Sequence, residues 1–137
     1  MNFLDSNVFI YMLDNKDARK RALAAGIVRD AADHATGVIS TQVVQETLNV
    51  LTRKLAPAVT PLDTRRFLDG ILGPLWRLAP SMGTFHRALD VQGRWSLHFY
   101  DALIVAAALE AGCDTLYTED LSHGQRFGDL AVVNPFL

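Results

Sequence analysis

Asp5, Glu46, Asp101 and Asp120 are spread along the chain, yet each stands where an apolar segment ends or an apolar helix begins. Two unpaired carboxylates 4 Å apart repel by about 4 kcal/mol at an effective dielectric near 20. A cluster of three or four acids therefore calls for protonation or a cation. Oxygen-only ligands favour Mg2+ or Mn2+. His34, His86, His98 and His123 show no His-Glu-x-x-His spacing that would indicate zinc, and they read as surface residues. His98 and His123 are close in sequence to Asp101 and Asp120, which leaves open a substrate contact. There is no Gly-x-Ser-x-Gly elbow and no phosphate-binding glycine loop, and Cys113 reads as a small buried residue.

The elements that must position these acids alternate between short strands and helices. Asn2-Phe3-Leu4 predicts a strand, Asp5-Ser6-Asn7 a turn or cap, and Val8 to Leu13 a helix. Asp17 to His34 is alanine-rich, with Leu23, Ile27 and Val28 on one face, and predicts a helix. Gly37-Val38-Ile39 is a second strand. Ser40 or Thr41 can cap the next helix, whose Val44, Leu48, Leu51 and Leu55 form an apolar stripe ending near Ala56-Pro57. Thr60-Pro61 starts another helix through Leu72, with Gly73-Pro74 as its stop. Leu75 to Leu78 is a strand, and Pro80-Ser81 opens a helix carrying Met82, Phe85, Ala88 and Leu89 until Gly93. Asp101 to Ala111 is apolar nearly all round, which marks a buried helix, with Gly112 at its C-terminal cap. Thr115 to Tyr117 and Ala131 to Val133 are the last two strands. This alternation predicts an α/β fold, and no repeat, low-complexity tract or linker interrupts it.

In open α/β sheets ligands bind beyond the carboxyl ends of the strands. Asp5 and Asp120 each follow a strand, Asp101 begins the buried helix, and Glu46 lies under two turns into the helix after the second strand. All four thus reach one edge. Simpler roles compete: Asp5 and Asp101 can be helix caps, and Asp120 or its neighbour Glu119 a solvated loop residue. Glu46 has Gln42, Val43, Asn49 and Val50 three and four residues away, so it lacks a basic helical partner.

Length and composition bound the answer. A chain of 137 residues, half of them hydrophobic and 20% charged, suits one globular domain spanning 1–137. One cysteine excludes an internal disulfide. The longest apolar run, Ala102 to Leu109, is eight residues, far below the roughly 20 of a membrane span, and the N-terminus has no secretory pattern. A soluble cytoplasmic protein is the expectation. The net charge of −2 argues against a nucleic-acid partner, but it becomes +2 once the four candidate acids are set aside.

Phe3-Leu4-Asp5-Ser6-Asn7-Val8, Val44-Gln45-Glu46-Thr47-Leu48, Tyr100 to Ala107 and Leu116-Tyr117-Thr118-Glu119-Asp120-Leu121 resemble, in order and spacing, the PIN-domain ribonucleases and particularly the VapC toxins of toxin-antitoxin pairs. Val133-Asn134-Pro135-Phe136 is similar to the family's closing segment. The resemblance implies a three-layer α/β/α fold with a central, mainly parallel sheet. It implies an endoribonuclease using Mg2+ or Mn2+, a homodimer, and a cognate antitoxin partner. By the same resemblance Asp5, Glu46, Asp101 and Asp120 take the catalytic and metal-binding positions, Asn7 and Thr118 support them, and Glu119 competes for the fourth place. The implied chemistry is hydrolysis of RNA by water, with one or two ions about 3.5 to 4 Å apart. Arg53, two turns beyond Glu46 and about 20° from it around the helix, is the basic residue best placed to reach a phosphate. Trp95 and Tyr100 are candidates for base stacking, with core packing as the simpler role.

Two rival readings stay open. A haloacid dehalogenase-type phosphotransferase would use Asp5 as nucleophile, but it expects a second Asp where Asn7 stands, and an amide transfers no proton. A non-catalytic RNA- or antitoxin-binding module on the same fold is the other.

Overall fold

Asp5 is the single residue between strand β1 (Asn2–Leu4) and helix α1 (Ser6–Leu13), so the first acid is fixed at a strand-to-helix corner. The computed structural model describes residues 1–137. Helix α2 (Ala18–Asp33) follows, capped by Asp17, whose carboxylate accepts from the Lys20 amide at 3.0 Å. Then come β2 (Gly37–Ser40) and α3 (Thr41–Arg53). Helix α4 (Pro61–Phe67) has the Thr60–Asp63 capping box and runs on through a π-helical turn, Leu68–Leu72, into α5 (Gly73–Leu75). Strand β3 (Trp76–Leu78), helices α6 (Met82–Trp95) and α7 (Phe99–Glu110), and strands β4 (Thr115–Tyr117), β5 (Arg126–Phe127) and β6 (Leu130–Val133) complete the chain.

The six strands lie in the order β3-β2-β1-β4-β6-β5, parallel except for the antiparallel β5–β6 pair. From β1 to β3 the chain steps in one direction across the sheet, and from β3 to β4 it returns the other way. Right-handed crossovers then place α1 to α5 on one face and α6 and α7 on the opposite one. The packing agrees: α1 lies against α2 and α3, and α6 against α7. The result is the three-layer α/β/α arrangement with a mainly parallel sheet expected from the sequence.

The core lies on both sides of the central strands. Phe3, Leu4, Ile39, Leu116 and Val132 are essentially inaccessible, and α7 is buried continuously from Ala102 to Ala108. That burial explains why α7 shows no apolar stripe in sequence: a helix covered on all sides needs none. Gly112, at φ +69°, ends α7 in the left-handed conformation that glycine adopts without strain.

Several boundaries differ from the sequence expectation. Gly73-Pro74 does not stop the helical run: the Gly73 amide closes the π-helical turn on Leu68 O, and Pro74 falls in the last turn before the extended Trp76. Helix α6 passes Gly93 and ends at Trp95, and α3 ends at Arg53 rather than near Ala56-Pro57. Ser40 occupies the N-cap of α3 without a capping hydrogen bond, while the Thr41 hydroxyl donates to Leu78 O of β3 at 3.2 Å. Strand β5 is too short and too polar at Arg126 to show an alternation in sequence.

Sheet and helix pack tightly at Gly37: a Cβ there would lie 2.7 Å from Ala31 Cβ on α2 and 3.3 Å from a Leu75 methyl. Gly37→Ala should destabilise the protein by about 1–3 kcal/mol through overpacking. Urea unfolding checks this, and an unchanged midpoint would show that α2 yields freely.

Candidate active site

The strand order reverses between β1 and β4, and this switch point is where the acids gather. The Asp5 amide donates to Tyr117 O at 3.0 Å, extending the β1–β4 ladder by one rung and setting Asp5 beside Thr118. Asp5 is buried, at 4% exposure, and caps α1. Its Oδ1 accepts from the Ser6 amide at 2.7 Å, and its Oδ2 from the fully buried Thr118 hydroxyl at 2.7 Å.

Thr118 Oγ1 in turn accepts from Asn7 Nδ2 at 3.3 Å and from the Asp120 amide at 3.1 Å. Asn7 Nδ2 also donates to Asp120 Oδ2 at 3.2 Å. On the other side, the Ser6 hydroxyl donates to Glu46 Oε1 at 3.3 Å. Gln42 Nε2 donates to Glu46 Oε2 at 3.4 Å and to Tyr100 O, next to Asp101, at 3.0 Å. Hydroxyl, amide and backbone groups thus link β1, α1, α3, α7 and the turn after β4. Asp101 accepts no hydrogen bond from protein and lines a hollow of about 330 Å³ with Asp120, His98 and Gln125.

No lysine, arginine or protonated terminus pairs with any of the four acids. Burial pushes the Asp5 carboxyl up to about 7, against hydrogen bonds from Thr118 and Ser6 that lower it, with Asp120 and Glu46 adding repulsion. Glu46 is raised by burial and by Asp120 and Asp101, against Gln42 and Ser6. Asp120, at the exposed rim, is raised by the loss of water on its inner side and by Asp101, and Asp101 is raised by burial, partly offset by His98. These directions describe a crevice with an excess of negative charge that neutral donors relieve only in part.

The donor set suits a hard divalent cation, since the four acids and the Asn7 and Gln42 carbonyls present oxygen, while the exposed His98 imidazole lines the hollow beside Asp101. Asn7 Oδ1 and Gln42 Oε1 are buried with no hydrogen-bond partner, and both belong to side chains whose amide nitrogens hold the acids. A buried carbonyl oxygen without a donor is costly unless water or a cation satisfies it. The carboxylates ring the crevice without forming a ready-made cage of three or more ligands.

Asp5, Glu46, Asp101, Asp120, Asn7 and Thr118 therefore meet at one sheet edge. Glu119 does not: Tyr11 OH donates to it at 2.7 Å and Lys20 Nζ lies 3.5 Å away. Asp101 is not a helix cap as expected, because α7 begins at Phe99 and His98 takes the cap position, leaving Asp101 in the first turn. Arg53 makes no hydrogen bond or ion pair and stands about 10 Å farther along α3 than Glu46, away from the edge where that helix starts. His34, His86 and His123 are exposed, and His123 Nδ1 accepts from the Asn134 amide. Sequence reasoning did not single out Ser6 and Gln42. The available signal was position: Ser6 adjoins Asp5, and Gln42 lies one turn before Glu46.

The family model of the PIN domain matches residues 3–126, and the chain belongs to that family. Three solved structures share its fold. Mycobacterium tuberculosis VapC20, a sarcin-ricin loop cleaving toxin, aligns over 88% of this chain and 90% of its own, with TM-score 0.64 and 19% identity. Rickettsia felis VapBC2, bound to a promoter DNA fragment, aligns over 96% of both chains with TM-score 0.68 and 15% identity. Neisseria gonorrhoeae FitAcB aligns over 98% of both with TM-score 0.67 and 19% identity. At these identities the likeness is one of fold. No curated protein sequence matches the chain.

Because the Asp5 pKa is raised on folding, its protonated form favours the native state; that contribution is complete below about 4 and is lost as pH rises through about 7. A tenfold change in proton affinity is worth about 1.4 kcal/mol, so metal-free protein should lose about 4 kcal/mol of stability over this range from Asp5 alone. Asp5→Asn should remove most of that loss. Denaturation in EDTA from pH 4 to 8 checks it, and parallel pH profiles for the two proteins would contradict it.

Proposed function

We propose that the protein is a metal-dependent endoribonuclease and the toxin of a toxin-antitoxin pair. The observation that carries this reading is the convergence of four carboxylates with no basic partner, beside two buried amide oxygens that lack donors. The shared fold with VapC20, a sarcin-ricin loop cleaving toxin, supports RNA as the substrate class.

Asp5 and Asp101 would hold the cation, with Glu46 and Asp120 completing the oxygen set. Mg2+ or Mn2+ bound there supplies charge neutralisation at phosphate and a more acidic water. The chain's own part is orientation. Thr118 fixes the inner oxygen of Asp5, Asn7 ties Asp120 to Thr118, and Ser6 with Gln42 sets the Glu46 carboxylate. Hydrolysis adds a water oxygen to phosphorus and breaks the bond to the 3′ oxygen, leaving a 5′ phosphate and a 3′ hydroxyl. Arg53 would contact phosphate only on RNA that extends along α3.

The antitoxin partner is supported by the fold shared with VapBC2, and a homodimer is part of the same proposal. No helix is long and apolar enough to cross a membrane.

Labelled RNA incubated with the protein and Mg2+ should be cut, and EDTA should stop the cutting. Asp101→Asn should lower the rate by more than about 100-fold, and Thr118→Val, which removes only an orienting hydroxyl, by about 10- to 100-fold. RNA left intact by wild type with Mg2+ or Mn2+, or cut equally well in EDTA, would overturn the reading. Millimolar Mg2+ should also raise the melting temperature of wild type and not of Asp101→Asn, because a ligand specific to the native state stabilises it by mass action.

A further inference from the structure

Helix α6 ends in Arg94 and Trp95, and Ser96, at φ 55°, turns the chain sharply toward His98 at the cap of α7. This turn forms one wall of a track; the segment from Ser122 to Gly128, which includes β5, forms the other. At one end is the 330 Å³ hollow at Asp101 and Asp120, walled by Ser96, His98 and Gln125. At the other is a groove of about 490 Å³ lined by Arg87, Asp90, Arg94, Trp95 and Phe127. Trp95 and Ser96 are consecutive on the first wall, and Gln125 and Phe127 nearly so on the second. The two hollows are therefore neighbours along the same two segments.

The groove end has the opposite electrostatic character to the crevice. Arg87 and Arg94 are exposed and form no ion pair, and Asp90 between them is the only acid lining the groove. The Arg94 guanidinium lies 5.2 Å from the Trp95 ring centroid, and Trp95, 38% exposed, is held edge-on against Phe127 at 5.2 Å. The crevice acids repel a polyanion, so affinity for nucleic acid has to come from cationic and aromatic groups outside them. Unpaired arginines beside a fixed, exposed indole make such a platform for a single strand.

We propose that this track holds the single-stranded RNA leading away from the scissile phosphate, with Arg94 and Arg87 on the backbone and a base stacked on Trp95. The assignment rests on the ribonuclease reading. It adds the residues that bind the substrate beyond the reacting bond.

Fluorescence anisotropy with a labelled 12-nucleotide single-stranded RNA, on an Asp101→Asn background in Mg2+, tests it. Arg94→Ala should weaken binding about tenfold and reduce the slope of log affinity against log salt by about 0.7, the value for one lost phosphate contact on a single strand. Arg94→Lys should restore the slope. Trp95→Ala should weaken binding about tenfold with the slope unchanged, and Trp95→Phe should recover most of it. If Arg94 serves only to complement the C-terminal end of α6, its removal will lower the melting temperature and leave the salt slope alone, which overturns the proposal. Unchanged affinity in both Arg94→Ala and Trp95→Ala, with the wild type still cutting RNA, overturns this assignment alone. A wild type that neither binds nor cuts single-stranded RNA overturns the ribonuclease reading with it.

Discussion

Four carboxylates share one crevice with only hydroxyls, amides and backbone donors to hold them, and the structure is organised around that unrelieved charge. An ordinary ion-pair network would place a lysine or arginine among them. The available cations are engaged elsewhere or stand apart: Lys20 reaches Tyr11 and Glu119, and Arg19 donates to the Phe136 and Leu137 carbonyls. Asp5 bears the largest share of the strain, because burial outweighs the two hydrogen bonds it accepts. A cation would convert this repulsion into attraction, so the same arrangement that burdens the metal-free protein prepares it to bind one.

The sheet topology explains why the charge collects there. Strand order reverses between β1 and β4, so the crossover helices diverge to opposite faces and leave a gap at their carboxyl ends. β1 delivers Asp5 to that gap, β4 delivers Thr118 and Asp120, α3 arrives from one layer with Glu46, and α7 from the other with Asp101. Thr118 is the hub: one hydroxyl donates to Asp5 and accepts from Asn7 and from the Asp120 amide. The α6–α7 turn and the segment around β5 also wall a neighbouring groove that is basic and aromatic.

Much of this was legible in the sequence because local rules and the global fold agree. Asp5 follows a short apolar run and precedes a helix, and that pattern alone predicts the corner it occupies. The capping signals at Thr60 and Ser81 and the buried composition of α7 also correspond to what forms. Other features depend on distant contacts and leave no local trace. Glu119 and Asp120 are equivalent as neighbours in sequence, and only the packing of Tyr11 and Lys20 draws Glu119 toward α1 and α2. Gln42 looks like a surface glutamine until α7 brings Tyr100 O within reach. Strand β5, two residues long, exists because β6 offers it a partner.

Calorimetric titration of Mn2+ into the protein at neutral pH, in two buffers of different ionisation heat, addresses the shared-cation claim most directly. Wild type should bind the ion and release protons as it does so, since Asp5 is held partly protonated near pH 7, and Asp101→Asn should bind much more weakly. The absence of binding, or equal binding by wild type, Asp5→Asn and Asp101→Asn, would contradict it.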